Sequence, residues 1–239
     1  MNDGELAANQ YNAMAADYSA DNEDGPFNSY YERPATIALL GDVSGKRVLE
    51  VGCGQGILTS WLLDQGAIVT ALDVSTEMAQ LAQSRVGTRA NILVADVADG
   101  LPMVPDDSTD VVVASLVMHY IRDWESVFRE MHRVLTKTGV IVFSTHSPAL
   151  DWQEASIDDY FAIKQWTATW TKQGNPYPVT CWRRPLTAMT SAIFSAGFLI
   201  ERLIEPDPVP ELEKRDPRVD KLIRTQPRYL FFRLIKRLQ

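Results

Sequence analysis

The 239-residue sequence predicts an α/β fold, a mostly parallel sheet with helices on both faces. Three observations carry that expectation. Short apolar strands alternate with helical stretches between residues 47 and 145, joined by connections of a few residues. The run Asp-Val-Val-Val-Ala-Ser at 110–115 has the unbroken apolar character of a strand buried on both faces. A glycine-rich segment, Gly52-Cys53-Gly54-Gln55-Gly56, falls where the first of these strands passes into a helix.

The elements follow in order. Residues 5–18 are Ala-rich and read as a helix with Tyr11 and Tyr18 seven apart on one face. A polar turn with Gly25-Pro26 leads to a second helix from Arg33-Pro34 to Gly41, since Pro suits a first helical turn. Arg47–Val51 is a strand, Gln55–Gln65 a helix ended by Gly66, and Ile68–Leu72 a strand closing on Asp73. Ser75 caps a helix to Arg85, with Glu77 in its first turn. Asn91–Ala95 is a strand closing on Asp96; a helix over Asp123–Leu135 and a strand over Val140–Thr145 complete the rhythm. It breaks between residues 147 and 184. Pro185–Ala196 then reads as a helix stopped by Gly197, and Phe198–Ile204 and Arg228–Ile235 as strands pairing antiparallel at a sheet edge across a Pro-rich loop. One domain results: a helical cap over 1–45, a core over 46–146, an insertion or lid over 147–184, and a C-terminal helix and strands over 185–239.

Composition narrows the function. Twenty-three basic against thirty-one acidic residues give a net charge of −8, which disfavours nucleic acid as a partner. Residues 1–32 hold seven acids and no Lys or Arg, whereas 207–239 hold nine bases against five acids. Cys53 and Cys181 are two distant cysteines in a chain too large to need stapling, so free thiols in a reducing, cytoplasmic setting are expected. The acidic start MNDGELAANQ lacks the apolar stretch of a signal peptide, and no apolar run reaches membrane-spanning length. No metal is expected. Four of the six tryptophans (Trp152, Trp166, Trp170, Trp182) crowd into the insertion.

The glycine loop and two acids carry the chemistry. Glycines let a backbone turn sharply and approach a ligand closely. Asp73 follows Gly52 by 21 residues, the spacing of a carboxylate that accepts from ribose hydroxyls, and Asp96 could accept from an adenine amino group. The loop spacing is G-x-G-x-G, not the G-x-G-x-x-G of a dinucleotide site, because Ile57 stands where the last glycine would be. Glu50 just before the loop would repel a pyrophosphate but favour a cationic ligand such as S-adenosylmethionine.

With VLEVGCGQG (48–56), ALDVSTEM (71–78), VADVADGLPM (94–103) and DVVVASLVMHYIRDWESVFREMHRVLTKTGVIVFS (110–144), the chain resembles the class I S-adenosylmethionine-dependent methyltransferases. The similarity is to their small-molecule branch, which includes ubiquinone- and menaquinone-biosynthesis-like enzymes. It implies a Rossmann-like seven-stranded sheet with an antiparallel last strand, bearing here an aromatic-rich insertion. It places Gly52, Cys53 and Gly54 against the methionine part, Asp73 on the ribose, Val74 and Met78 beside the adenine, Asp96 and Val97 at the adenine edge, and Ser115 near the methionine moiety. Tyr18 best matches the tyrosine that often covers the cofactor; Tyr11, Tyr30 and Tyr31 are alternatives, and the last two are also candidates for the acceptor side.

Methyl transfer is an in-line displacement with release of S-adenosylhomocysteine. The protein supplies alignment, exclusion of water and, for a protonated acceptor, a base. His119 after the fourth strand and His146 after the fifth are the candidate bases, while His132 reads as a helix-surface or packed residue. In the insertion Trp152, Trp166 and Trp182 are candidates for acceptor contact, Trp166 and Trp170 sharing a face if that part is helical. A helical lid core or a dimer face would use the same aromatic residues. Arg183 or Arg184 could neutralise an acceptor anion or pair at the surface. A small-molecule methyl acceptor is expected, and a monomer or homodimer. A non-catalytic scaffold that kept the cofactor fold is the alternative; an NAD-dependent oxidoreductase is disfavoured by loop spacing and Glu50. A nucleic-acid methyltransferase is disfavoured because SLVMHY stands where an Asn/Asp-Pro-Pro-aromatic motif would be.

Overall fold

Alternating apolar side chains build the sheet from its middle outward. The computed structural model describes residues 2–155 and 157–237. Strands β1 (Arg47–Val51), β2 (Ile68–Asp73), β3 (Asn91–Val94), β4 (Thr109–Ala114) and β5 (Leu135–His146) pair in parallel in the order β3-β2-β1-β4-β5. The chain leaves β1 toward β2 on one side and returns to β4 on the other. That reversal opens a crevice beyond the carboxyl ends of β1 and β4, where open α/β sheets bind ligands.

Each strand feeds two cores. Val48, Val111, Val113, Val140 and Val142 pack on one face with α2 (Arg33–Leu40) and α3 (Ile57–Asp64). Leu49, Val112, Ala114, Ile141 and Phe143 pack on the other with α5 (Trp124–Val134) and α7 (Leu186–Ser195). Between them, α4 (Thr76–Val86) follows β2, with Ser75 accepting from the Met78 N–H as its cap.

The tail strands β8 (Phe198–Ile204) and β9 (Tyr229–Lys236) pair antiparallel, as expected, and complete a seven-stranded sheet. β9 lies inside, antiparallel to β5, and β8 forms the edge. The side chains decide this: Phe231 enters one core and Phe232 and Leu234 the other, whereas β8 is exposed along most of its length.

Three expectations change. The Pro-rich connection is not a plain loop; it holds α8 (Glu211–Arg215) and α9 (Pro217–Thr225), the latter capped by Asp216 with Pro217 in its first turn, where proline starts a helix. The first helix α1 is longer, Asp3–Asn22, because Asn2 and Glu5 form a capping box. The insertion is not a helical lid. After a short α6 (Pro148–Glu154) it forms a hairpin of β6 (Lys164–Lys172) and β7 (Asn175–Arg183). Its strand KQWTATWTK alternates Trp and Thr in a pleat-compatible pattern, and Gln173 and Gly174 both take positive φ (48° and 84°), as a two-residue hairpin turn requires. Trp166 and Trp170 therefore share a face because strands have period two.

The hairpin docks on α1. Asn175 and the Tyr177 hydroxyl donate to Asp17, the Trp182 indole to Asp3, and Gln173 to Asp21. Among the described residues no helix is long and apolar enough to cross a membrane.

Candidate active site

The glycine loop turns because Gly52 takes φ +70°, a region that favours glycine, and a Cβ there would meet Val117 at 2.2 Å. The N–H groups of Gly52 and Cys53 donate to the Leu72 carbonyl, tying the loop to β2. Asp73 at the end of β2 accepts from the Gly54 N–H at 2.8 Å and the Ser75 N–H at 2.9 Å. Its carboxylate thus fixes the loop and the cap of α4 together. Glu50 is buried and accepts from the Thr59 hydroxyl at 2.6 Å.

These groups border a cavity of about 330 Å³ at the sheet crevice. Tyr18, Glu50, Gly52, Cys53, Gly54, Asp73, Val74, Asp96, Val97 and Ser115 all line it. The lining is strongly acidic: Asp3, Glu32, Glu50, Asp73, Asp96, Asp99 and Asp123 face Arg33 and Arg122. Burial pushes Glu50 up to about 8, against the Thr59 hydrogen bond, and Asp73 up to about 6, against its two backbone donors. Burial, with the charges of Glu50 and Asp73, pushes the Cys53 thiol up as well.

The N-terminal helix closes this cavity. Asp3, Gly4 and Ala7 line it, and a Cβ on Gly4 would stand 1.7 Å from Asp96 Oδ2, so only glycine allows the helix to rest on that carboxylate. Gln55 of the loop donates to the Ser19 carbonyl and to Glu23, which Arg85 of α4 also grips.

A second cavity of about 330 Å³ adjoins the first under the hairpin. The two share Tyr11, Tyr18, Asn28, Leu116 and Tyr120 in their walls. The Tyr11 and Tyr120 hydroxyls are 2.9 Å apart, and Tyr11 meets Tyr18 edge-on. Burial raises all three phenols, Tyr18 to about 12. Leu116 has φ +52°, a strained conformation for a side-chain-bearing residue. Its N–H is held by Ser144 Oγ, which donates in turn to buried Glu32.

His119 and His146 stack in the wall of the second cavity, ring centroids 3.8 Å apart. Burial, then the charges of His146 and Arg184, holds His119 well below the usual histidine range, so it is neutral at neutral pH. Its Nδ1 has no hydrogen-bond partner. Burial opposes a charge on His146 too, but Asp151, whose Oδ1 is 3.0 Å from Nδ1, and Cys181 together outweigh it and raise this imidazole to about 10.

Several sequence candidates lie elsewhere. Met78 is buried outside the lining of the first cavity. Of the acceptor candidates, Trp166 alone borders the second. Trp182 points the opposite way from Val179 and Cys181 along β7 and lies beneath Arg122, 5.1 Å away. Trp152 is exposed. Tyr30 donates to Asp24, and Tyr31 stacks in the core on Tyr229. Arg183 is buried because it binds the carbonyls of Asp159, Tyr160 and Ala162, bracing the approach to the hairpin, and Arg184 binds those of Ile121 and Arg122. His132 is a packed helix residue against Phe198. Sequence reasoning missed Gly4, Arg33 and Tyr120, and Arg33 carried no local signal beyond its place before Pro34.

The same surroundings recur in known proteins. Residues 49–143 match the methyltransferase domain family. The chain is 33% identical over 109 residues to a malonyl-[acyl-carrier protein] O-methyltransferase of Hamiltonella defensa, covering 46% of this chain and 41% of that protein. It is 34% identical over 110 residues to a ubiquinone biosynthesis O-methyltransferase of Pseudomonas syringae, covering 44% and 46%. The chain thus spans under half the length of these two relatives. A putative S-adenosylmethionine-dependent methyltransferase of Listeria monocytogenes shares the fold with a TM-score of 0.74 and 24% identity, over 87% of this chain and 97% of that one.

Residues 49–143 thus match a methyltransferase domain, and the Rossmann-like sheet is a fold shared with solved S-adenosylmethionine-dependent methyltransferases. The acid-lined first cavity suits a ligand with a sulfonium and an ammonium group and no phosphate, the chemistry of S-adenosylmethionine.

Proposed function

We propose that the chain methylates a small molecule held in the second cavity, with the cofactor in the first. The observation that carries this reading is the meeting of the two cavities at one wall of Tyr11, Tyr18, Asn28, Leu116 and Tyr120. When bound, S-adenosylmethionine supplies a methyl group already activated on sulfur. The chain's residues then have three tasks.

The first is to hold the cofactor. Asp73 would accept from the ribose, Asp96 and Val97 would meet the adenine edge, and Glu50 would face the cationic end, where a nearby ammonium would favour its ionised form. Arg33, on the same wall, is placed to take a carboxylate. The second is to exclude water, for which Tyr11, Tyr18 and the α1 lid are suited. The third is to accept the acceptor's proton. His119 is neutral and lines the second cavity, and the adjacent charge on His146 is neutralised by Asp151. Both named relatives are O-methyltransferases, which supports an oxygen acceptor.

The test is S-adenosylhomocysteine release across a panel of hydroxyl- and carboxyl-bearing metabolites, with cofactor binding measured in parallel by calorimetry. Binding of S-adenosylmethionine and turnover on a panel member are expected. Binding of NAD in its place, or cofactor binding without turnover on any acceptor, would overturn the reading.

A further inference from the structure

The second cavity has a charge and a shape of its own. Along β6 the even-numbered residues Trp166, Ala168, Trp170 and Lys172 all line it, as the strand pleat requires. Ala168, with only a methyl group, leaves a recess on that face with an indole at each end. Such a recess accepts a flat conjugated group by stacking.

Three donors around this recess have hydrogen-bonding capacity to spare among the described residues. The Lys172 ammonium lies 5.1 Å from the Tyr18 ring and 5.6 Å from the Trp170 ring, with no ion pair or hydrogen bond among the described residues. Arg228 pairs with Glu154 at 2.9 Å through Nη1, but its buried Nε donates to nothing. The buried indole N–H of Trp166, which can only donate, is likewise unmatched. Buried donors are normally satisfied; two such N–H groups lie beside this cavity and the part-exposed Lys172 ammonium adds a third donor, so the cavity suits an acceptor from outside the chain. A cationic ligand fits poorly, because Lys172 already covers the aromatic faces such a ligand would use.

On the reading that this cavity holds the methyl acceptor, we propose that the acceptor is a flat conjugated molecule carrying an anionic group, its ring stacked on the indole of Trp166 or Trp170 and its charge against Lys172 and Arg228. In a chain of net charge −8, this places the cations where an anion enters. Binding desolvates the anion against preset donors, and these supply selectivity over neutral analogues.

Matched probes test it on protein saturated with S-adenosylhomocysteine: 4-hydroxybenzoate, phenyl phosphate, 4-hydroxybenzamide and tyramine, followed by tryptophan fluorescence and calorimetry. At least one anion is expected to bind about tenfold tighter than the neutral amide, the worth of one charged hydrogen bond, and tyramine weakest. The tighter of the two anions tells carboxylate from phosphate. Lys172→Gln should shrink the preference to about threefold or less, and Lys172→Arg should keep it. Equal affinity for acid and amide, preference for tyramine, or no binding of either anion would overturn the proposal. Failure of S-adenosylhomocysteine itself to bind would instead overturn the methyltransferase reading, so the two failures are told apart.

Discussion

The two cavities share a wall but differ in how they are made. The first is built by consecutive strand-to-helix turns of the sheet, and seven carboxylates face two guanidinium groups in it. The second is closed by a hairpin inserted after β5; in its lining Arg228 is paired with Glu154 and His146 with Asp151, which leaves the Lys172 ammonium without an ion pair among the described residues. An acidic chain has thus separated its charges, carboxylates around the first cavity and an unpaired ammonium under the hairpin. Complementarity of that kind sorts two ligands between adjoining sites without a barrier of bulk between them.

Breaking one side should leave the other intact. The largest effect is expected from His119→Gln, which should lower turnover on a hydroxyl acceptor by roughly 10²- to 10⁴-fold, the usual worth of a general base. Calorimetry should find S-adenosylhomocysteine affinity unchanged; an equal loss in both measurements would show His119 to be structural.

Asp73→Ala acts on the first cavity. It removes two backbone hydrogen bonds that shape the loop as well as the expected ribose contact. Cofactor affinity should fall by about 1–3 kcal/mol, roughly 5- to 150-fold. Unaltered affinity would remove Asp73 from the site.

The same carboxylate sets a pH dependence. Burial raises Asp73 to about 6, so it is ionised above that pH and protonated below. Ribose hydroxyls donate to the ionised form, so the Asp73 part of the affinity for S-adenosylhomocysteine should be present above about pH 6 and decline as pH falls through it, apart from a limb near pH 8 where Glu50 ionises. Asp73→Asn should flatten the lower limb, and a lower limb that persists in the variant would assign it to another group.

The smallest effect concerns the lid. Gly4→Val would put side-chain atoms into Asp96, so α1 should seat poorly over the cavity. S-Adenosylhomocysteine should dissociate several-fold faster in stopped flow, with little loss of thermal stability, because residue 4 lies in the first turn of α1, where a helix frays most readily. An unchanged dissociation rate would show that the lid opens independently of this contact.

Legibility followed the same division. Glu50, Gly52, Cys53, Gly54, Asp73 and Asp96 lie in or beside turns whose strand, loop and helix are neighbours in sequence, and all border the first cavity. Met78 shows the limit even there, because helix phase turned it into the core. In the insertion the residue types were visible but their directions were not. Trp166 and Trp182 read alike in the sequence, yet strand pleat aims one at the cavity and the other at Asp3. Arg183 reads as a free cation, but three local carbonyls bury it.

By itself the sequence determined the parallel α/β core, the cofactor loop and its acids, and the class of chemistry, because each rests on periodicity or on short fixed spacings. The tertiary structure alone decided that β9 lies inside β8, that the insertion is a hairpin, and that Gly4 rests on Asp96. It also decided that Lys172, Arg228 and Trp166 converge on one cavity. Those contacts join residues far apart in the chain, and packing, not local propensity, selects among the arrangements that sequence leaves open.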